Sequence, residues 1–223
     1  MGQPISVRPG TTGPFNDDNP YDAGGDSWGS LVTINKGPNL LEWTRRGYVY
    51  STVTSPAAPC AYPIYSTATN SPTLWNPEGS GKLVVPIRIN MGVAAIVTYL
   101  DNAFLLAQTL NTGSAASTGG VFATFTNIAP YNMLIGGPSG KAKYSGAVVT
   151  WTVQPTVIMT IGMSTWAAGT EANLEYSWLH YEFDGHMALP PGTAISLAGV
   201  VASSTTFVTS FVFAELPLPA AMP

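Results

Sequence analysis

Charged side chains are scarce in this sequence. Its 223 residues include 8 Lys and Arg and 12 Asp and Glu, together 9% of the chain, whereas soluble domains average about 25%. The hydrophobic share of 45% is ordinary, so Ser, Thr, Asn, Gly and Pro take the places of the missing charges. Proteins that diffuse alone usually keep a charged surface without apolar patches. The shortage therefore favours a component of an assembly, whose surface is largely covered by neighbours.

Basic clusters and long apolar runs are also missing. The net charge is −4 and the basic residues form no cluster beyond Arg45-Arg46, whereas nucleic-acid binding needs several Lys or Arg on one face. No run of 18 uncharged apolar residues occurs, so the sequence predicts no membrane span. We expect neither a nucleic-acid partner nor a membrane partner. Cys60 is the one cysteine, which excludes an intrachain disulfide and predicts a small buried apolar residue.

Catalytic motifs are absent as well. The chain holds two His and no Gly-x-Ser-x-Gly elbow, and nothing near Cys60 supplies the base and orienting group that a nucleophile needs. The Gly-rich residues 136–142 fail as a phosphate-binding loop, because Ile135 stands where the first Gly belongs and Ala142 follows Lys141. The sequence therefore predicts neither an enzyme nor a cofactor.

A polar cluster between residues 171 and 186 offers the best candidates for a metal site, which are His180, Glu182, Asp184 and His186. Alternation along a strand puts the first three on one face, and His with carboxylates suits Zn²⁺ or a harder cation. The pair Asp184-Gly185 is, however, the strongest hairpin-turn signal in the chain, and a wet turn explains the same residues. We therefore predict no metal.

The first 27 residues are rich in Gly, Pro and Asp and show no apolar periodicity. Such a segment buries too little surface to fold alone, which predicts an extended N-terminal arm (1–27) before one β-sandwich domain (28–223). We expect the arm and the apolar residues that follow it to contact a partner. These candidates are Pro4, Pro9, Pro14, Phe15, Pro20, Tyr21, Trp28, Leu31, Leu40, Leu41 and Trp43.

The remainder of the chain alternates with period two, as half-buried strands do. The clearest strand runs from Lys82 to Met91, where Pro86 indicates a sheet edge or a bulge. The segment from Thr205 to Leu216 is apolar on both faces and should lie centrally in a sheet. With no regular βα alternation, the pattern predicts an all-β protein, a jelly-roll-like β-sandwich of about eight to ten strands.

Finer expectations concern connections. Residues 101–110 contain helix formers behind a possible Asp101 cap and predict one short helix. Residues 66–81 are polar and predict a long loop, in which Trp75 would be available to a partner. Hairpins are expected through 154–155, 184–185 and 203–204.

Four segments carry a resemblance to a known class of protein. They are residues 81–92, the Gly-Gly-Pro loop at 136–139, the sequence Pro-Pro-Gly-Thr-Ala-Ile-Ser at 190–196, and the ending Phe-Ala-Glu-Leu-Pro at 213–217. The chain resembles tailed-bacteriophage virion structural proteins of the jelly-roll capsid decoration, or cement, type. The resemblance implies a symmetric protein, typically a homotrimer, that binds the major capsid protein on the capsid exterior and has no active site. It also implies an N-terminal arm that anchors the protein to the shell.

Other functions stay open. A receptor- or glycan-binding head module of a viral fibre or spike would use the loops at 66–81 or 111–120. A minor tail or vertex protein would differ from a decoration protein in its copy number per particle. A hydrolase is disfavoured because no catalytic triad can be assembled. A major capsid protein is disfavoured because the acidic chain has a nearly uncharged arm.

Overall fold

A computed structural model describes residues 39–54, 57–61, 66–95, 100–110, 122–166, 179–200 and 206–218. Strands make up 56% of these residues, which confirms an all-β protein. The chain divides into two compact units, Met1–Glu42 and Trp43–Pro223, and of the first unit only residues 39–42 are described. The elements are α1 (Asn39–Arg45), β1 (Val49–Ser51), β2 (Ala58–Pro59), β3 (Ala68–Asn70), β4 (Thr73–Asn76), β5 (Lys82–Ala95), β6 (Leu100–Leu110), β7 (Phe122–Phe125), β8 (Tyr131–Asn132), β9 (Lys143–Ser145), β10 (Val148–Trp151), β11 (Thr156–Trp166), β12 (Leu179–Glu182), β13 (Thr193–Gly199) and β14 (Thr206–Pro217).

Eight of the strands pair in a nested order. β1 pairs with β14, β4 with β13, β5 with β12, and β6 with β11, all antiparallel. The chain thus pairs like one long hairpin, and it is rolled up so that sheet I has the order β12-β5-β14-β1-β8 and sheet II the order β11-β6-β13-β4-β9. This is the topology of a jelly roll. The jelly-roll-like sandwich predicted from the sequence is confirmed.

The main hydrophobic core lies between sheets I and II. Its fully buried side chains include Ile89, Phe207, Phe211 and Phe213 of sheet I and Leu74, Tyr144, Ile195 and Leu197 of sheet II. Cys60 also lies in this core, where its thiol faces the Leu197 carbonyl oxygen at 3.5 Å. The expectation that Cys60 is a buried apolar residue is confirmed.

Strand β14 is central, as its two apolar faces predicted. It pairs with β5 along its whole length and with β1 on its other side, where the amides of Thr52 and Thr54 extend the pairing beyond β1. A register shift places Val212 opposite Arg88 but Phe213 opposite Pro86. Pro86 therefore lies beside a β-bulge and not at a sheet edge, because β5 has neighbours on both sides.

The connection between β6 and β11 crosses to the far side of the sandwich. It carries four short strands, of which β8 pairs with β1 and β9 pairs with β4. Without these additions, β1 and β4 would be edge strands of their sheets. A third sheet, β3-β10-β7, also draws two strands from this connection. The insertion between β6 and β11 thus covers two edges that would otherwise expose unpaired backbone groups.

Helix α1 ends in a Schellman motif that directs the chain into β1. The Gly47 amide donates to the Thr44 carbonyl oxygen and the Tyr48 amide to the Trp43 carbonyl oxygen, both at 2.9 Å. Gly47 has φ of 72°, a conformation that glycine adopts without the steric cost of a Cβ. This glycine is the reason why the helix stops before β1.

Two expectations about secondary structure are wrong. Residues 101–110 form strand β6 and not a helix, because pairing with β11 and β13 on both sides overrides the local helix propensity. Residues 66–81 are not one long loop, because they contain β3 and the buried strand β4. Trp75 of β4 is buried and so unavailable to a partner, and the Lys143 ammonium lies 5.0 Å from the centre of its ring.

The three expected hairpins are also wrong, since the flanking strands do not pair with each other. β10 and β11 lie in different sheets, and so do β13 and β14. Asp184 and Gly185 do form a tight turn with positive φ angles of 47° and 77°. The chain then continues along the same neighbour β5, where Leu189 pairs with Val84. A jelly roll sends most consecutive strands to opposite sheets, which local turn signals do not reveal.

We expect the two faces of β14 to differ sharply in their contribution to stability. Phe211→Ala should lower the free energy of unfolding by about 3 to 5 kcal/mol, because it opens a cavity between the sheets. Val208→Ala, on the opposite face of the same strand and partly exposed, should cost less than about 1 kcal/mol. Urea unfolding followed by tryptophan fluorescence measures both values. Equal losses for the two variants would contradict the described packing of β14.

Stability should fall at alkaline pH. Burial raises the pKa of the Cys60 thiol to about 12, and burial likewise raises the pKa of the Tyr144 hydroxyl. The folded state therefore keeps both protons while the unfolded chain releases them. The resulting stabilisation is complete below the ordinary pKa values and is lost as the pH rises through them, by up to about 1.4 kcal/mol per pH unit for each group.

Urea unfolding at about pH 8 and at about pH 10.5 tests this expectation. Wild type should lose more stability between the two pH values than Tyr144→Phe or Cys60→Ala does. If all three proteins lose the same amount, the two buried groups are not the cause of the pH dependence.

Candidate interaction surface

An exposed apolar loop is the most unusual surface feature among the described residues. It comprises residues 131–138, which we call the apolar loop, and it leaves sheet I at the outermost strand β8. Ile135 is 99% exposed and Tyr131 is 69% exposed, and Met133 and Leu134 are exposed beside them. Single exposed apolar residues are normal on a protein surface, but a contiguous group of four marks a contact site.

Asn132 holds the apolar loop in shape. Its side-chain amide donates to the carbonyl oxygens of Gly47 at 2.8 Å and Pro138 at 2.9 Å, and its side-chain oxygen accepts the Leu134 amide at 2.8 Å. One side chain therefore ties the start of the loop to its end and to the turn after α1. Gly137 must lack a side chain here, because a Cβ would lie 2.7 Å from the Asn132 side chain.

Glu215 holds the segment that follows the apolar loop. Its carboxylate is buried and accepts the Lys141 amide at 2.7 Å and 2.9 Å, through its two oxygens, and the Ala142 amide at 2.7 Å. The Gly-rich segment rejected as a phosphate-binding loop thus does present backbone amides to an anion. That anion is a carboxylate of the same chain, supplied by β14.

Tyr50 connects these two supports. Its ring stacks on Phe213 with 5.8 Å between the ring centres. Burial is the main cause that raises the pKa of its hydroxyl, the negative charge of Glu215 raises it further, and a hydrogen bond with the Asn132 side chain opposes the shift. A Cβ on Gly140 would lie 2.8 Å from a Glu215 carboxylate oxygen and 3.2 Å from the Tyr50 ring. The base of the apolar loop is therefore closely packed.

This arrangement presents large apolar side chains on a fixed backbone. A rigid loop loses little conformational entropy when it binds, so more of the free energy of burying Ile135 remains as affinity. Fully exposed apolar side chains such as Ile135 act as binding hot spots when they are buried in a pocket on a partner's surface. The apolar loop is chemically suited to binding a macromolecule.

The residues predicted to contact a partner fall into two groups. Leu40, Leu41 and Trp43 lie on α1, where Leu41 is 58% exposed and the other two are half-buried. The others lie outside the described residues, and they are Pro4, Pro9, Pro14, Phe15, Pro20, Tyr21, Trp28 and Leu31. The predicted arm at 1–27 also lies outside them.

The apolar loop was missed by the sequence analysis. Its signal was present, because three consecutive large apolar residues, Met133, Leu134 and Ile135, run directly into Gly-Gly-Pro. Such a run reads equally well as a short buried strand. The distinction depends partly on Asn132: two of its hydrogen bonds lie within the loop, but the third, to the Gly47 carbonyl oxygen, forms only when a distant segment has met the loop.

Within the described part of the polar cluster, residues 179–186, the four metal candidates do not gather into a metal site. His180 contacts the Asn90 side-chain oxygen at 2.8 Å and a Glu182 carboxylate oxygen at 3.2 Å, on the exposed face of β12. Asp184 and His186 are exposed in and after the tight turn. Across the described ranges, no three His, Cys, Asp or Glu side chains come close enough to hold a metal ion together.

Comparison of the chain with protein-family models, with curated proteins and with solved structures finds no match. In the part of the chain that the structure describes, no helix has the length and apolar character needed to cross a membrane.

We expect Asn132 to control the order of the apolar loop. Asn132→Ala should lower the free energy of unfolding by about 1 to 3 kcal/mol, since three hydrogen bonds are lost. Asn132→Asp should cost at least as much, because it places a carboxylate oxygen against the carbonyl oxygens of Gly47 and Pro138. Chymotrypsin should then cut after Tyr131 or Leu134 faster than in wild type.

Asn127→Ala is the matched control. Asn127 accepts one hydrogen bond, from the Tyr144 amide at 3.3 Å, so its loss should cost less than about 1 kcal/mol and leave the cleavage rate unchanged. Equal cleavage of the Asn132 variants and wild type would show that Asn132 does not order the loop.

Proposed function

We propose that this protein is a virion structural protein of the capsid decoration, or cement, type. It binds the outer surface of a capsid and stabilises the shell by bridging capsid subunits. The observation that carries the assembly role is the apolar loop, with Ile135 99% exposed on a loop that Asn132 holds by hydrogen bonds; the contact with the shell itself is assigned to a separate surface on α1. A jelly roll that keeps such a surface, in a chain with 9% charged residues, is built to be covered by neighbours.

The fold supports the proposal by analogy. Jelly rolls of two packed sheets are common in viral capsid proteins, and they also occur in lectins and cupins. A fold alone does not assign a function, so the argument rests on the surface. The Cys60 thiol is buried and protonated, and His180 and Glu182 lie on an open strand face. These groups supply no arrangement for chemistry, whereas the apolar surface suits binding.

The proposed partner is the major capsid protein, with the protein as a homotrimer on the capsid exterior. We assign the contact with the shell to the N-terminal side of the molecule, where Leu41 is exposed on α1. Contacts between weakly charged surfaces carry a small desolvation penalty. A symmetric oligomer that binds several subunits at once gains avidity without strong individual contacts. We propose no nucleic-acid partner, no membrane partner and no catalytic activity.

A glycan-binding head module is the alternative, and the structure of residues 66–81 weakens the support for it. The loop at 66–81 that it required contains two strands and the buried Trp75, and the loop at 111–120 lies outside the described residues. Tyr131 remains as an exposed aromatic ring that a sugar can stack on.

Binding to shells tests the proposal. Purified protein should sediment with particles of the encoding virus that have been stripped of it, should saturate at hundreds of copies per particle, and should raise the temperature at which the shells open. Leu41→Gln, which keeps a good helix former, should weaken sedimentation. Val53→Gln, an exposed apolar residue in the β1 region, is the matched control and should bind as wild type does.

Two outcomes would overturn the proposal. Saturation at a handful of copies would indicate a tail or vertex component. Binding of the oligomer to a glycan array, without any binding to shells, would indicate a receptor-binding head.

A further inference from the structure

We propose that copies of this chain associate head to tail, with the apolar loop of one copy on the β11–β12 edge of the next copy. The inference deepens the proposed function, since it names one partner within the assembly, and it rests on that function only for its biological role. The two opposite ends of the sandwich, at β8 and β9 and at β11 and β12, differ in charge and both expose apolar residues.

The first end carries the apolar loop and positive charges. Pro138 and Leu134 of the loop lie near Gly47, within 3.2 and 3.6 Å of the position a Cβ would take there. Arg45, two residues before Gly47, is exposed. Lys141, whose side chain is exposed, follows the loop by three residues. The apolar loop is therefore flanked by cations, while the nearby Glu215 is buried and bonded to backbone amides.

The opposite end carries apolar residues and negative charges. β12 is the outermost strand of sheet I and β11 the outermost strand of sheet II within the described ranges, and the Tyr181 hydroxyl contacts the Met159 sulfur at 3.9 Å across them. Val157 and Ile158 are exposed on this side. Glu182 and Asp184 are exposed on the same edge; the half-buried Arg88 of β5 lies opposite Glu182, so Asp184 is the acid without a cation opposite it in the strand register. We call this surface the β11–β12 edge.

Within the described residues, strand β11 of the β11–β12 edge carries none of the usual protection of a sheet edge. Strand β11 is 11 residues long and contains no charged residue and no Pro, the two kinds of residue that commonly block pairing at exposed edges. The β8 and β9 edges at the other end are short, with two and three residues. Among the outer strands of the described sheets, the long uncharged strand β11 is thus the one that gains most from being covered.

Charge complementarity selects the head-to-tail arrangement. A twofold contact between two apolar loops would bring Arg45 and Lys141 close to their own copies, and a twofold contact between two β11–β12 edges would do the same with Glu182 and Asp184. A contact between unlike ends pairs opposite charges around an apolar centre, which favours association and register. Contacts of this heterologous type generate closed rings when the rotation between copies closes, which agrees with the proposed trimer.

Complementary blocked variants test this arrangement in the full chain by size-exclusion chromatography with light scattering. Ile135→Asp blocks the loop and Val157→Asp blocks the edge, and each should weaken association at least about tenfold, the effect of losing a modest interface hot spot. An equimolar mixture of the two should form a dimer, because each variant keeps the end that the other has lost. Val200→Asp, an exposed apolar residue after the central strand β13, should associate as wild type does.

The mixture decides between the arrangements. If Val157→Asp associates normally, or if the mixture stays monomeric while the control forms oligomers, the head-to-tail contact is wrong. A wild-type protein that stays monomeric at high micromolar concentration also overturns it. Circular dichroism confirms that each variant is folded, and Ile158→Asp, at the neighbouring exposed apolar residue, replaces Val157→Asp if the latter does not fold.

Charge reversal gives a second, independent measurement. Lys141→Glu and Asp184→Lys should each weaken association severalfold, and a chain with both changes should recover most of it, because the pairing is restored with its signs exchanged. Raised salt should weaken wild type less than it would a purely ionic contact, since the apolar centre is not screened. Absence of recovery in the double variant would contradict the proposed register.

Failure of this inference is distinguishable from failure of the proposed function. Ile135→Asp that remains monomeric but still sediments weakly with shells supports both. A protein that forms head-to-tail oligomers and never binds shells supports the inference and removes the decoration role. A wild-type monomer that binds shells retains the decoration role and removes the inference.

Discussion

The pairing of β14 with β1 and β5 is the interaction on which the remainder of this structure depends. β14 lies in the middle of sheet I, between β1 and β5, and pairs with both. Its inward side chains, from Phe207 to Phe213, form much of the main core. Its last residues carry Glu215, which fixes the amides of Lys141 and Ala142. One strand thus closes the roll, fills its interior and supports the surface that we assign to assembly.

Support of this kind explains how an apolar surface can stay exposed without collapsing onto the protein. The Asn132 side chain donates to the carbonyl oxygens of Gly47 and Pro138, and the Glu215 carboxylate accepts the Lys141 amide just after the apolar loop. Their hydrogen bonds outweigh the modest gain that Ile135 would obtain by folding back. The same insertion that forms the loop also adds β8 and β9 to the two sheets. Edge protection and the presentation of a contact surface are therefore achieved by one segment.

How much the sequence predicted depends on whether the signal was local. Alternation over Lys82–Met91 identified β5, because a strand buried on one face must alternate, and apolar residues on both faces of Thr205–Leu216 identified β14 as a central strand. Local signals failed for residues 101–110, which have helix formers but pair on both sides as β6, and for Trp75, whose polar neighbours concealed a buried strand. The apolar loop was not predicted, since its position depends on contacts with distant segments, such as the hydrogen bond from Asn132 to the Gly47 carbonyl oxygen. His180 and Glu182 do lie on one face of β12. Their spacing in the sequence, however, cannot show whether a third ligand lies near them.

The nested strand order has a consequence for biosynthesis. A nascent chain can form β5, β6 and the inserted strands early, but sheet I stays open until β14 leaves the ribosome and inserts between β1 and β5. Until that moment, the 14-residue strand β5 and the short strand β1 lack the neighbour that satisfies their backbone groups, and pairing over such large sequence separations is slow. Production of the protein in soluble form should therefore depend on slow translation, low temperature or chaperone capture more than on the stability of the finished roll.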